Sequence, residues 1–312
     1  MKAALTENVA EDCANLRQGD VIEADADIEP IFEGSLGALG VVVLSQTCDV
    51  VQPSKTRCLV APVITVDRAG LLAAQKGRKP LHLYLPPDQA GEHRVADLEH
   101  AASLPKAMII GRPIRGRHVP EVSSKLAGQL AARVGRAFSR FPFPDEVYPI
   151  FKELRGRVQS KTGTPSPFGQ VVDLVDDLRV GADQWTQPAR HLKLYVIVPE
   201  RFLANVEDLN ADWIWNRADV AEGSAHDQPG EMELSRVCEL ILANAEARPD
   251  VQNKLWAEFG ERIHRELLQP FLDSEVVSFT VEVVSDSEMS YRDFMSTESL
   301  DLEVLSDSRL DD

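Results

Sequence analysis

Along the first third of the chain the apolar residues come in short unbroken runs rather than helical stripes. Val21-Ile22 follows Gly19-Asp20. Val41-Val42-Val43-Leu44 follows a loop punctuated by Gly34, Gly37 and Gly40, and residues 58–66 read Cys-Leu-Val-Ala-Pro-Val-Ile-Thr-Val after a turn at Pro53-Ser54-Lys55. Runs this short and this rich in β-branched residues, closed by glycine and proline, predict strands buried on both faces, as in a small closed barrel. Further strands are expected at 81–85, ended by Pro86-Pro87, and at 107–110. After Pro120 the period becomes helical. Ser123 or Ser124 can cap a helix with Leu126, Leu130, Val134, Ala137 and Phe138 on one face and Lys125, Arg133, Arg136 and Arg140 on another. Phe141-Pro142-Phe143-Pro144 ends it, and Asp145 can cap a second helix running to 154. The stretch 160–167 reads as a linker. Beyond it the pattern predicts strands at 170–174 and 192–198, helices at 231–247 and 251–267, and a strand at 276–284.

The expected architecture is α+β: a strand-rich barrel over 1–118, a basic helical segment and linker over 119–165, an α+β domain over 166–284, and an acidic tail over 285–312. A chain of 312 residues has room for this. Charge sharpens the division. The net −17 is carried almost wholly by the second half, since residues 1–150 are close to neutral. Residues 103–165 hold twelve Lys and Arg against four Asp and Glu, whereas 271–312 hold two against twelve. The loop Gly111-Arg112-Pro113-Ile114-Arg115-Gly116-Arg117 and the helix face of Lys125, Arg133, Arg136 and Arg140 are therefore candidates for RNA or DNA phosphates. Phe138, Phe141 and Phe143 are candidates to stack bases. In the acidic tail, Leu300, Leu302 and Leu305 are candidate anchors for a basic protein partner. No opening apolar segment resembles a secretory signal and no run is long enough to span a membrane, so a cytoplasmic location without membrane attachment is expected. Four scattered cysteines without a CxxC pair imply no metal and no cofactor.

The order Gly19-Asp20-Val21-Ile22, then Val41-Val42-Val43-Leu44-Ser45, then Val60-Ala61-Pro62-Val63-Ile64-Thr65 resembles the MazF/PemK/Kid family of bacterial toxins over residues 17–66. The resemblance implies an SH3-like barrel that acts on RNA, with Thr65 at the place of a functional threonine. The family also carries an arginine and a proline just before the valine-leucine-serine strand. Here that place reads Ala38-Leu39-Gly40, and losing a cation beside the scissile phosphate removes a large electrostatic contribution to cleavage. At the end of the same strand stands Ser45-Gln46-Thr47-Cys48-Asp49, which makes Ser45, Cys48, Asp49 and Thr65 the catalytic candidates. Cys48 would need a histidine brought to it by the fold. No Walker A, Rossmann, HExxH or GxSxG pattern occurs. Three functional readings follow: a nucleic-acid-associated toxin-like or antiviral-defence component with or without ribonuclease activity, a non-catalytic scaffold docking a partner through its tail, and a Cys48-dependent enzyme.

Overall fold

The computed structural model describes residues 15–32, 39–52, 54–86, 91–119, 125–139, 141–203, 232–245, 249–267 and 275–301. The chain divides into two compact units, residues 1–140 and 141–312. The boundary falls inside the basic segment expected over 119–165, and its two helices belong to different units.

The first unit is a curled antiparallel sheet of seven strands. They are β1 (Asp20–Ile22), β2 (Val41–Val43), β3 (Arg57–Thr65), β4 (His82–Tyr84), β5 (Arg94–Asp97), β6 (Ala102–Pro105) and β7 (Ile114–Arg117). The order is β4-β5-β3-β2-β1-β7, with β6 also paired to β3. Unbroken apolar runs work here because both faces of the central strands are covered. Val41, Val43, Cys58 and Val60 pack with Leu16, Ile22, Ile28, Phe32, Leu104 and Ile109. The alternate residues Val42, Leu44, Ala61 and Val63 pack with Leu83, Leu98, Val119, Leu130 and Ala137. Period-two alternation thus feeds two cores instead of one core and solvent. Gly40 fixes the entry to β2, because its φ is +95° and a Cβ there would lie 2.2 Å from the carbonyl oxygen of Ile22.

Three helices complete this unit: α1 (Thr47–Val51), α2 (Arg68–Gln75) and α3 (Lys125–Phe138). Asp67 caps α2 by accepting the Gly70 N–H at 2.7 Å. On α3 the expected apolar face is realised only in part. Leu130 and Ala137 are buried and Val134 packs beside them, but Leu126 and Phe138 are exposed. The strand expected at 107–110 is absent. Pro105 ends β6, and a 3-10 turn over Lys106–Met108 follows, with the Lys106 carbonyl accepting the N–H groups of Ile109 and Ile110. The apolar residues there are core plugs of a turn.

The second unit is a four-stranded sheet, β10-β9-β8-β11, made by β8 (Asp177–Ala182), β9 (Arg190–Val198), β10 (Val276–Ser285) and β11 (Thr297–Ser299). Its helices are α4 (Tyr148–Lys161), α5 (Pro167–Val172), α6 (Leu234–Ala243), α7 (Pro249–Leu267) and α8 (Tyr291–Met295). β9 and β10 run parallel, and α6 and α7 lie between them in sequence, as a parallel pair requires. Phe151, Phe168, Trp256 and Phe259 lie in the core with Leu194 and Val196 of β9. The strand expected at 170–174 is instead the helix α5. Ser166 accepts the Gly169 N–H at 3.2 Å and Pro167 occupies the first turn, so the expected linker is a short loop over 162–166 whose end starts this helix. Asp145 opens a 3-10 turn ahead of α4 and does not cap that helix.

The acidic end is partly folded into this sheet. β11 pairs antiparallel with β8, and the buried Arg179 of β8 donates to Thr297 Oγ1 at 2.8 Å, the Thr297 carbonyl at 2.5 Å and the Phe294 carbonyl at 3.1 Å. Its guanidinium also stacks 3.9 Å from the Phe294 ring. Leu300 is buried in the unit's own core, so it is a core residue here and not an open docking anchor. Leu302 and Leu305 lie outside the described residues. Leu300→Ala should therefore destabilise the second unit by about 2–5 kcal/mol, measured by urea unfolding. A loss below about 0.5 kcal/mol, the range of surface substitutions, would mean that β11 is not part of the cooperative fold.

Candidate functional site

The predicted catalytic residues are well ordered but separate. Ser45 Oγ accepts the Leu59 N–H at 2.8 Å, and Thr47 Oγ1 accepts the Gln18 N–H at 3.1 Å, while Gln18 Nε2 donates to the Leu44 carbonyl at 2.8 Å. The buried Lys106 ammonium donates to the carbonyls of Asp49, Val50 and Gln52 at 2.8, 2.6 and 2.8 Å. It closes the C-terminus of α1, where helix carbonyls otherwise lack partners. Cys48 is exposed, and its sulfur partner is Gln46 Oε1 at 3.6 Å rather than a histidine. Thr65 is exposed at the far end of β3, six residues beyond Leu59 and so roughly 20 Å along the strand. Ser45, Cys48 and Asp49 share one end of the sheet, and Thr65 lies at the other. Of the four, Ser45 spends its hydroxyl on holding the Leu59 N–H.

The arginine loop is also internally engaged. Arg117 donates to both oxygens of the fully buried Asp20 at 2.9 and 3.1 Å, locking β7 to β1. Arg115 pairs with Glu23 at 2.9 Å, and Arg112 pairs with Asp25 while also bonding the Met108 carbonyl. The Arg112 guanidinium lowers the Asp25 pKa below its usual value. Each of the three guanidiniums holds a carboxylate of the chain itself. Phe141 and Phe143 form an edge-packed trio with Trp185, at centroid separations of 4.9 to 5.5 Å, in the second unit.

A different basic group is assembled by the fold. Arg133 of α3 reaches the end of α2 and donates to the carbonyls of Ala74 at 3.1 Å and Gln75 at 2.5 Å. The next turn of α3 brings Arg136 against Gly77, whose φ of +71° lets the chain leave α2. The loop that follows reads Lys76-Gly77-Arg78-Lys79, and the Lys79 carbonyl accepts the His82 N–H at 3.0 Å. Tyr84 lies on the same face of β4 as His82 and packs edge-on to His118 at 6.4 Å. Arg133 and Arg136 thus meet the turn Lys76-Gly77-Arg78-Lys79, with Arg133 near His118 and Tyr84 and Lys79 near His82. Lys125 is exposed at the opposite end of α3, and Arg140 lies outside the described residues.

Electrostatics marks this cluster. Burial lowers the pKa of both histidines, reinforced by Lys79 at His82 and by Arg133 at His118. The same burial, with Arg136 nearby, lowers that of Arg133. The Nδ1 atoms of His82 and His118 are buried and lack a hydrogen-bond partner, which is costly for an imidazole unless a ligand or solvent meets it. Lys79 and Arg133 bring positive charge to the two imidazoles, Asp97 and Glu99 also lie near His82, and an anion at His118 would meet both a cation and a ring nitrogen without a hydrogen-bond partner among the described residues. No group of three metal-ligating side chains occurs among the described residues. Nor is any described helix long and apolar enough to cross a membrane.

Sequence reading found Arg133 and Arg136 but took them for an open helix face, and it passed over Lys76, Arg78 and Lys79. The signal was there, since three cations in four residues stand in a glycine turn. What it lacked was the partner helix. No protein-family model matches the chain, and no curated protein matches it.

Arg133→Ala should lower stability by about 1–3 kcal/mol, because two helix-end carbonyls lose a charged donor. Arg115→Ala should change it by less than roughly 0.5 kcal/mol, since its pair is exposed. Paired urea titrations check both, and equal losses would remove the distinction. The histidines carry a pH signature. Their folded pKa values lie below the ordinary 6.5, so the unfolded chain binds more protons between the folded pKa and 6.5. The stabilisation is complete above 6.5 and is lost as pH falls through the folded pKa. The ligand-free first unit should therefore weaken on acidification below about pH 6.5, and His118→Gln should flatten that dependence.

Proposed function

We propose that the first unit is a nucleic-acid-associated module of the toxin-like or antiviral-defence kind, a divergent MazF-like, SH3-type barrel. It holds backbone phosphates through Lys76, Arg78, Lys79, Arg133 and Arg136, with His82, His118 and Tyr84 at the same place. The observation that carries this reading is the approach of Arg133 and Arg136 to the Lys76-Gly77-Arg78-Lys79 turn, next to two imidazoles whose Nδ1 atoms lack hydrogen-bond partners among the described residues. The exposed Phe138 on the last turn of α3 offers a ring for base stacking near the end of the chain's basic helix. The proposal is one of binding. The place of the family's arginine and proline reads Ala38-Leu39-Gly40, and the Ser45 and Thr65 regions stand at opposite ends of β3, so backbone cleavage forms no part of it.

A phosphate placed here favours the protonated imidazoles, which burial alone disfavours. Binding is then coupled to proton uptake and strengthens as pH falls, while the empty protein becomes less stable over the same range. That opposition separates a ligand site from a merely buried pair of histidines.

Fluorescence anisotropy with single-stranded RNA and DNA oligonucleotides tests the reading. The triple variant Lys76→Ala, Arg78→Ala, Lys79→Ala should lose affinity about tenfold or more and lower the magnitude of the salt slope by about 2, as expected for three lost phosphate contacts. Arg115→Ala should match the wild type. Wild-type affinity should rise between about pH 8 and pH 6, and His118→Gln should remove the rise. Absence of binding at low salt, or a triple variant that binds like the wild type, overturns the proposal.

A further inference from the structure

In the second unit, apart from the basic cluster, β9 begins beside β10 after the turn that follows β8. Across this parallel pair His191 Nδ1 lies 2.7 Å from Ser278 Oγ, where the two residues are partners in register. The ladder shifts between Val276 and Ser278, so Val277 is an extra residue, 48% exposed, and the strand is kinked at the serine. Two residues before the histidine, Ala189 has φ of +64°, the sole positive φ at a non-glycine residue among the described residues. Bulges and left-handed non-glycine residues persist where surrounding contacts enforce them, and they gather at sites.

Those contacts are present. Arg190 is 6% exposed and held between Glu146 at 3.7 Å and Glu275 at 3.5 Å. Its side chain donates to the Trp185 carbonyl at 3.2 Å, and its backbone N–H donates to the Glu275 carbonyl at 2.9 Å. Asp183 Oδ1 accepts the N–H of His191 at 2.8 Å and that of Gln184 at 3.0 Å. These bonds, with the nearby imidazole, lower the Asp183 pKa and keep it a carboxylate. The half-buried ring of Trp185, packed on Phe141 and Phe143, stands in the same turn.

We propose that Ser278 and His191 are a nucleophile and base for acyl transfer from small activated esters, with Asp183 as a positioning residue. Neutral His191 takes the Oγ proton through Nδ1 as Oγ bonds to the ester carbonyl carbon. The carbon–oxygen bond to the leaving group breaks, and the imidazolium returns its proton to the departing oxygen. Water, deprotonated by the same imidazole, then attacks the acyl-serine. The carbon–Oγ bond breaks, Oγ recovers a proton, and the products are one acid and one alcohol. Asp183 holds the histidine backbone through the His191 N–H, so it acts through His191 rather than on the substrate.

Treating the full chain with a fluorophosphonate probe, followed by peptide mass spectrometry and p-nitrophenyl acetate hydrolysis, tests this. The adduct is expected on Ser278, and Ser278→Ala should lack both adduct and ester turnover. His191→Gln, confirmed folded by circular dichroism, should label about a hundredfold more slowly. Asp183→Ala should slow labelling about tenfold or more, and Asp183→Asn, which keeps an oxygen to accept the His191 N–H, should restore most of it. No adduct on Ser278, or labelling undiminished in His191→Gln, overturns the dyad. Labelling undiminished in Asp183→Ala removes Asp183 from the proposal.

Discussion

Burial of β2 and β3 on both faces is the constraint from which the first unit follows. A strand with no solvent face cannot hide polar side chains, so the polar residues collect where the strands end. There every backbone group the sheet does not use must find a donor or acceptor. Ser45, Thr47, Gln18 and Lys106 fill that role at one end. The buried Asp20 and its Arg117 partner do so at the edge between β1 and β7. A cluster that looks like chemistry in a linear reading is, in space, the finishing of a doubly covered sheet.

The cations sort by the same logic. Where an arginine lies beside a strand carrying a carboxylate, it is neutralised within the chain, as at Asp20, Glu23 and Asp25. Where a helix ends, Arg133 meets carbonyl dipoles that carry only partial negative charge, and its own charge is incompletely balanced. Adding Lys76, Arg78 and Lys79 at that helix end concentrates positive potential at one spot. The curled sheet therefore holds some arginines through carboxylates and Arg133 through helix-end carbonyls, although all stand in chain segments of similar composition.

In the second unit Arg179 plays the organising part. It sits in the middle of β8, and its donors reach the Phe294 and Thr297 carbonyls and the Thr297 hydroxyl, so the acidic end of the chain is drawn on as the edge strand β11. An unpaired buried guanidinium there would be severely destabilising. The other end of the sheet is pinned by Arg190 in a comparable way, and the bulge at Val277 and the left-handed Ala189 are held against that anchor.

The sequence by itself determined the elements whose signal is local. The apolar runs at 41–44 and 58–66, the periodic helices around Lys125–Phe138, Leu234–Ala243 and Pro249–Leu267, and the strands Arg190–Val198 and Val276–Ser285 were all legible, because burial pattern and length are written in neighbouring residues. The strand Ile114–Arg117 was not, since its arginines find their carboxylates far along the chain, nor was Arg94–Asp97, a four-residue strand with a charged residue at each end. The apolar turn at Lys106–Met108 and the helix Pro167–Val172 were misread because a run of four or five apolar residues has no period of its own. The tertiary structure alone decided which arginines are paired, that Leu300 belongs to a core, that Ser45 and Thr65 lie apart, and that His82 and His118 join the loop at Lys76. Each of these depends on contacts between residues distant in sequence, and composition and spacing say nothing about which distant residues meet.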